Sequence, residues 1–318
     1  MKKTVLLAGI LSVTILCSAS HADVQLQFGS RDGEVGYLNH LTHPKQELLH
    51  AVGPLSFRAN NDEFWLADSV NGRILQIRSN GTIAQSIIAA TASQVPIIDF
   101  ALQPDSSGKT ESLWVLCQGT QEVRHIDLTG KLLSTFGGPG PDKTQFLQAN
   151  RIEWHSSGIL FIADKAKQMV SCFSPDGTFL RQRHWEWSGL CIGADGLFYR
   201  LQWDQTLKKN RLISEDKDGV VQSEVLLDIP PHKNPKLWNV DRGGNSLITF
   251  IPDGGFQNAY GIIHCNSQGK SDKISSLKPP RVMNRFLDVS ASGTIYVGEA
   301  DYFEAPKGDF RIVPFVLK

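Results

Sequence analysis

The sequence predicts an all-β protein, a six-bladed β-propeller with four-stranded blades. One pattern recurs six times: a short apolar strand, a turn with Gly, Asn or Asp, and a second apolar strand that is usually centred on an aromatic residue. The centres of the second strands lie 37 to 50 residues apart: Trp65, Trp114, Phe161, Phe198, Ile248 and Tyr296. A period in this range with β-type patterning is typical of propeller blades. No helical period of comparable strength occurs, which excludes the α/β fold classes.

Further strands follow the repeated pair in most copies. In the first blade, Asn80-Gly81 separates an apolar strand over 74–77 from another over 83–88. An Asn-Gly step supplies the positive φ angles that a tight hairpin needs. Six blades of four strands fill the chain, and a seventh would not fit.

The last blade has only three strands of its own, the third of them over 310–316. Residues 24–28 alternate between apolar and polar like an outer strand, and they resemble the outer strand 132–136 of the second blade. An unpaired edge strand invites aggregation, so a ring has to cover its seam. We therefore predict that this N-terminal strand completes the last blade and closes the ring non-covalently.

The N-terminus has the pattern of a secretory signal. Two lysines follow Met1, an apolar run covers residues 5–16, and small residues lead to Ala22. This pattern predicts a signal peptide over 1–22, cleaved after Ala22, and a single propeller domain over 23–318. The apolar run is shorter than the ~20 residues that span a bilayer, and no later segment qualifies. We expect a periplasmic or secreted protein with no transmembrane segment.

Charge and cysteine content limit the function classes. The chain has 32 basic and 32 acidic residues, which argues against nucleic acid as a partner held by bulk electrostatics. Four cysteines remain beyond the signal peptide, and they allow three disulfide pairings or buried free thiols: Cys117, Cys172, Cys191 and Cys265.

Two motifs resemble the NHL repeat. The segment 66–74, with Ala67-Asp68 followed by Asn71 and Arg73, is similar to the Ala-Asp turn of that repeat, and Ala163-Asp164 repeats its core. The resemblance implies a propeller fold of the NHL type and implies no particular reaction.

Enzymes on related propellers place a metal and bases over the channel. NHL-type amidating lyases have Pro-His pairs where this chain has Asn150-Arg151 and Asn284-Arg285, so their histidine ligands do not carry over. Sugar-lactone hydrolases on six-bladed propellers use an acid–Asn–Asp set. Glu153, Asn239 and Asp288 have the same residue types, but the motifs that surround the set in those enzymes are missing here.

The inner strands of a propeller line its central channel. Each predicted inner strand has one polar or small residue between two apolar ones, and period-two alternation directs that middle residue to the channel. The predicted ring consists of Ser56, Asp99, Glu153, Cys191, Asn239 and Asp288. Converging acids repel one another unless they are solvated, protonated or bridged by a cation. The ring therefore predicts either a water-filled channel or a site for Ca²⁺ or another divalent cation.

Two arginines begin inner strands within the repeated Asn-Arg pairs. Arg151 and Arg285 are candidates for binding a carboxylate or phosphate at one mouth of the channel, since a guanidinium matches those anions in two hydrogen bonds. The alternative is an internal ion pair with Glu153, Asp288 or a neighbouring loop.

Histidines and aromatic residues concentrate in the connectors. The histidines allow a zinc site geometrically but lack compact ligand spacing, which disfavours it: His40, His43, His50, His184 and His232. The aromatics indicate contact with protein, peptide or sugar, or packing of the wider loops: Trp185, Trp187, Trp203, Phe256, Tyr260, Tyr302 and Phe303.

Two functions stay open on this evidence. The first is a binding module for a protein, peptide or glycan on the loop-rich channel face, favoured because the chain has no G-x-S-x-G nucleophile motif and no glycine-rich phosphate loop. The second is a metal-assisted lyase or hydrolase with its site over the channel.

Overall fold

Six antiparallel sheets form a closed ring in the computed structural model, which describes residues 23–39, 51–60, 63–254, 260–278, 280 and 282–318. Inner strands of successive blades contact one another, and the last contacts the first. The predicted all-β, six-bladed propeller with four-stranded blades is thereby confirmed. Within the described ranges, no helix is long and apolar enough to cross a membrane.

Each blade runs from an inner strand beside the channel to an outer strand at the rim. The chain begins with β1 (Val24–Phe28) and β2 (Glu34–Val35). Blade 1 contains β3 (Ser56–Asn60), β4 (Glu63–Asp68), β5 (Arg73–Arg78) and β6 (Ile83–Ile88). Blade 2 contains β7 (Ile97–Pro104), β8 (Thr110–Cys117), β9 (Glu122–Asp127) and β10 (Leu132–Gly137). Blade 3 contains β11 (Ala149–His155), β12 (Ile159–Asp164), β13 (Met169–Phe173) and β14 (Phe179–His184).

Blades 4 to 6 continue the order. Blade 4 contains β15 (Leu190–Ile192), β16 (Phe198–Asp204), β17 (Lys209–Glu215) and β18 (Val221–Leu226). Blade 5 contains β19 (His232–Val240), β20 (Ser246–Pro252), β21 (Tyr260–Cys265) and β22 (Ser271–Leu277). Blade 6 contains β23 (Leu287–Val289), β24 (Ile295–Glu299) and β25 (Asp309–Phe315), with β1 as its outer strand.

The N-terminal strand closes the ring as predicted. β1 pairs antiparallel with β25, with Leu26 opposite Phe310. Its alternation places Val24, Leu26 and Phe28 in the core and exposes the two glutamines between them. The short strand β2 adds to β1 in parallel, which the sequence did not predict.

The core consists of separate clusters between neighbouring blades. Trp65 of blade 1 packs with Phe100 of blade 2, and Trp114 of blade 2 packs with Phe173 of blade 3. The aromatic of each repeated second strand is thus what joins its blade to a neighbour, since a four-stranded sheet alone cannot bury both faces.

The Ala-Asp turn fastens connectors to blades. The Asp68 carboxylate accepts hydrogen bonds from the Gly36 backbone N–H at 2.7 Å and from Arg73 Nε at 2.7 Å. Asp164 of blade 3 does the equivalent, accepting from the backbone N–H groups of Leu147 and Gln148. The motif therefore serves the fold.

One face of the ring holds the connectors between blades and also the turns between the second and third strands of each blade. In an antiparallel four-stranded blade the outer strand ends at the edge where the next inner strand begins, and the turn between the second and third strands lies there too. We call this the connector face. The opposite face holds tight hairpin turns such as that at Gly158, whose φ of 82° favours glycine.

Candidate functional site

The channel holds a network of acids and arginines. Arg285, 2% exposed, binds Asp99 in two hydrogen bonds, Nε to Oδ1 at 3.1 Å and Nη2 to Oδ2 at 2.9 Å. The same Nη2 lies 2.7 Å from Glu153 Oε1. Ser56 Oγ donates to Asp99 Oδ1 at 2.5 Å. The structure thus brings together the predicted ring residues of blades 1, 2 and 3, Ser56, Asp99 and Glu153, around Arg285 of blade 6.

A second arginine, which sequence reasoning missed, joins blades 1 to 3. Arg58 Nη1 lies 2.9 Å from Glu153 Oε2, and its Nη2 donates to the backbone carbonyls of Phe100 and Ile152 at 2.8 Å. The signal was available, because Arg58 follows Ser56 by two residues on one strand and so faces the same side.

Charge pairing decides the protonation of the two central acids. Burial favours the neutral form of Asp99, but Arg285 and Arg58 outweigh it and hold the pKa of that carboxyl below its usual range. The same balance between burial and these guanidiniums lowers the pKa of Glu153. Both acids are therefore carboxylates at neutral pH, and guanidinium groups neutralise them.

The remaining ring positions have different surroundings. Asp288 Oδ2 accepts a hydrogen bond from the Ala59 backbone N–H at 2.8 Å, and burial raises the pKa of this carboxyl in spite of Arg58 and Arg285. Asn239 is half-buried on the inner strand of blade 5. Cys191 packs among apolar residues between blades 4 and 5.

Arg285 and Arg58 supply positive charge to Asp99 and Glu153, for which the sequence predicted either a water-filled channel or a site for Ca²⁺ or another divalent cation. Within the described ranges, no three His, Cys, Asp or Glu side chains are grouped to hold a metal ion. His40, His43 and His50 lie outside the described residues. Cys117, Cys172 and Cys191 are buried free thiols, and Cys265 is buried as well.

The Asn-Arg pair of blade 6 covers the channel mouth on the connector face. Asn284 Nδ2 donates to the backbone carbonyl of Asn150 at 2.5 Å and to that of Ile98 at 3.2 Å. Together with the pairing of Arg285 to Asp99, this contact joins blade 6 to blades 2 and 3. Arg285 is thus committed to internal ion pairs, which is the alternative that the sequence analysis left open.

The Asn-Arg pair of blade 3 behaves differently. Arg151 is 3% exposed, and its Nη1 has no hydrogen-bond partner among the described residues. Its guanidinium lies over the ring of Trp238, 4.7 Å from the centroid, and reaches it across the channel from blade 3 to blade 5. The Oδ1 of the preceding residue, Asn150, is also buried without a partner in the described part of the chain.

A β-bulge explains why these two neighbours face the same space. The register of β11 against β12 shifts between Ala149 and Arg151, which leaves Asn150 as an extra residue. A bulge redirects a side chain and breaks the alternation of the strand. β19 has the same irregularity at Trp238, and the ring of this residue contacts the Arg151 guanidinium.

Asn150 and Arg151 line a cavity of about 530 Å³ on the connector face. Its walls come mainly from the connector between blades 3 and 4, the first residues of β19, the β12–β13 turn and the end of β16. They include Lys165, Glu186, Trp187, Trp203, Lys233 and Lys236. The volume falls within the ~300–1,000 Å³ typical of small-ligand sites.

Two of the cations in this cavity have weakened proton affinity. Burial, and after it the Arg285 charge, lowers the pKa of Arg151 to about 9, although Asp99 and Glu153 act in the opposite direction. Burial and the charges of Arg151 and Lys165 lower the pKa of Lys236 to about 8. An anion here would relieve the repulsion between them.

The connector aromatics divide into structural and accessible groups. Trp185 and Tyr302 are 3% and 2% exposed and pack in the core. Trp187 is 46% exposed, and its Nε1 donates to the Lys165 carbonyl at 2.7 Å. Trp203 is half-buried, with its backbone N–H bound to Glu186 Oε2. Phe256 lies outside the described residues.

Comparisons with known proteins agree on the fold. No protein-family model and no curated protein matches the chain. A member of the DUF4221 family from Bacteroides vulgatus is similar in structure, with a TM-score of 0.56 over 93% of this chain and 97% of that one, at 9% identity. A gluconolactonase from Xanthomonas campestris has a TM-score of 0.54 over 84% of this chain and 87% of that one, at 16% identity.

A streptogramin B lyase gives a TM-score of 0.50 over 83% of this chain and 94% of that chain, at 12% identity. These neighbours include enzymes as well as a family without a stated activity. At such identities the likeness concerns the propeller fold, and the chemistry has to be argued from the site.

Proposed function

We propose that the protein is a binding module that recognises an anionic group of a peptide, protein or glycan in the cavity on its connector face. The observation that carries this function is the guanidinium of Arg151, which is buried at the cavity with Nη1 unpartnered among the described residues. A buried donor without a partner costs about 1–3 kcal/mol, and more when it is charged. A ligand that supplies an acceptor removes this cost on binding.

Neighbouring charge supports an anion as that acceptor. Lys236, Lys165 and Lys233 line the same cavity, against the single carboxylate of Glu186, which is already bound by a backbone N–H. The paired acids Asp99 and Glu153 lie beneath and are neutralised by Arg285 and Arg58.

The test is calorimetric titration of the protein with acetate, succinate and phosphate. We expect binding that Arg151→Gln weakens by about tenfold or more, because a hydrogen bond to a charged group contributes about 1.5–3 kcal/mol. Lys236→Gln should weaken binding as well. Lys131→Gln, in the β9–β10 turn on the opposite face, is the matched control and should leave it unchanged. Equal affinities for the wild type and Arg151→Gln would refute the proposal.

The same binding should depend on pH. Lys236, which lines the cavity with Arg151, Lys165, Lys233 and Glu186, loses its proton near its pKa of about 8. Arg151 keeps its charge, because a guanidinium stays protonated in proteins even where burial lowers its pKa. Affinity for the anion should therefore fall as the pH rises from 7 to 10, and this decline should be smaller in Lys236→Gln. An affinity that stays constant over this range contradicts the assignment.

We also propose that the propeller is of the NHL type and that it is exported after removal of residues 1–22. The Ala-Asp turns of blades 1 and 3 support the first statement. Asp23 immediately precedes β1, so cleavage after Ala22 leaves the closing strand whole. Expression in a bacterium with a periplasm should give a mature protein whose mass corresponds to 23–318, whereas retention of 1–22 would contradict export.

A further inference from the structure

The cavity on the connector face offers a ligand more than positive charge. Arg151 Nη1 is a donor that lacks an acceptor, and Asn150 Oδ1 is an acceptor that lacks a donor, in both cases among the described residues. Because the bulge in β11 places these adjacent side chains at one cavity, a matching ligand has an anionic group close to a hydroxyl or N–H.

Two indole rings supply apolar surface at the same cavity. Trp187 has φ of 61°, a backbone conformation that bulky residues rarely adopt. It is fixed by its bond to the Lys165 carbonyl, and the Lys165 ammonium lies 5.2 Å from its ring centroid. Strained residues of this kind cluster at ligand sites, where the surrounding structure holds them. Here the strained backbone holds a half-exposed indole at the cavity.

Trp203 is the second indole. Its ring meets the edge of His232 at a centroid distance of 6.4 Å, and His232 is in turn bound to Asn210 at 2.7 Å. Trp203 also lines a second depression of about 330 Å³, together with Asp204, Arg211 and Glu224.

Two backbone N–H groups of the cavity are committed to internal hydrogen bonds. Those of Trp185 and Trp203 donate to the Gln168 carbonyl and to Glu186 Oε2. Neither is available to a peptide that binds by adding a strand through main-chain pairing. The amide, cationic and indole side chains that line the cavity remain to contact a ligand.

We infer that the ligand is an acidic saccharide of the hexuronate type. A uronate ring carries a carboxylate beside a hydroxyl. The carboxylate would accept from Arg151 and Lys236, and the hydroxyl would donate to Asn150 Oδ1. Its C–H face packs on an indole ring, Trp187 or Trp203. This inference rests on the proposed function and narrows its ligand to one chemical class.

The experiment is titration of the protein with a galacturonate trimer, with the methyl ester of that trimer, with acetate and with N-acetylglycylglycine as the peptide carboxylate. We expect the trimer to bind at least about tenfold more tightly than acetate, and the uncharged ester to lose most of that affinity. Trp187→Ala and Trp203→Ala should each weaken trimer binding by about three- to tenfold, in line with the strength of aromatic contacts, and leave acetate binding unchanged. Leu133→Ala, on the exposed rim strand β10, is the control.

The outcomes separate the two proposals. If acetate or the peptide binds in an Arg151-dependent manner while the trimer gains nothing over them, the saccharide assignment is overturned and the anion site stands. If the peptide binds more tightly than the trimer, the ligand is a peptide. If none of the four probes binds, the proposed function fails together with this inference.

Discussion

Replacement of Arg285 by methionine should destabilise the protein by about 3–5 kcal/mol, the cost of breaking a buried ion pair and leaving its partner charged. Arg285 is 2% exposed and neutralises Asp99, which is fully buried, together with Glu153. Methionine fills similar volume but leaves the Asp99 and Glu153 carboxylates without their ion-pair partner, so that only Arg58, paired with Glu153, and the charge of Arg151 still offset them. Urea unfolding of the two proteins at pH 7 measures the difference.

A surface ion pair serves as the control for this buried one, and the effect should also depend on pH. Arg211 pairs with Asp204 and Glu224 at the surface, where its side chain is 37% exposed, so Arg211→Met should cost no more than about 1 kcal/mol. Because the pKa values of Asp99 and Glu153 are lowered in the wild type, their pairing stabilises the fold above the ordinary carboxyl pKa and is lost as the pH falls below it.

In Arg285→Met the two acids should instead take up protons more readily, so the deficit in stability should shrink as the pH decreases from 7 towards 4. Asp99→Asn in the Arg285→Met background should recover part of the loss, since it removes one of the unpaired charges. A deficit below about 1 kcal/mol at pH 7 would show that the network contributes no more than a surface pair.

The fold was predictable from the sequence because its cause is periodic. Each blade buries an aromatic from its second strand against a neighbour, as Trp65 and Trp114 do, and each needs a glycine at a positive φ in a hairpin turn, as at Gly158. These requirements recur with the blade and leave a visible period. The seam was predictable too, since β1 alternates like any outer strand.

The sequence predicted which acids face the channel, but it did not predict their ion-pair partners. Period-two alternation directs Asp99 and Glu153 inward, and the same rule applied two residues further along β3 would have found Arg58. It does not say that Arg285, on a different blade, binds both acids, because such contacts depend on reach across the channel. The acids alone therefore left open a cation site that the arginines now account for.

The cavity was harder to predict because the non-repeating parts of the chain build it. The bulges at Asn150 and Trp238 interrupt the alternation on which sequence reasoning depended. Lys236 lies in β19, which begins well before the repeated pattern, and Trp187 has an unusual φ of 61° that no sequence pattern predicts. The residues of the candidate site are thus concentrated where the chain departs from the repeat.

Substitutions in β1, the strand that closes the ring, should also have a large effect on stability. Leu26→Ala in β1 should lower the free energy of unfolding by about 2–5 kcal/mol, the range for truncating a buried leucine. Leu26 is 4% exposed and lies in the cluster that joins blades 5, 6 and 1. Gln27→Ala, on the exposed side of the same strand, is the matched control and should change stability by no more than about 0.5 kcal/mol. Chemical unfolding followed by circular dichroism compares the three proteins.

Deletion of residues 23–28 should have the larger consequence. It removes the strand that covers β25, so the open edge would pair with other copies and the seam cluster would meet water. We expect the shortened protein to elute in size-exclusion chromatography as oligomers or aggregates larger than the species formed by the intact chain from Asp23. A stable, monomeric deletion variant would mean that five self-sufficient blades and a three-stranded sixth hold the ring together, and that β1 is an accessory. The buried alternation of Val24, Leu26 and Phe28 argues for the opposite, because a strand with apolar side chains at every second position packs one whole face on the core.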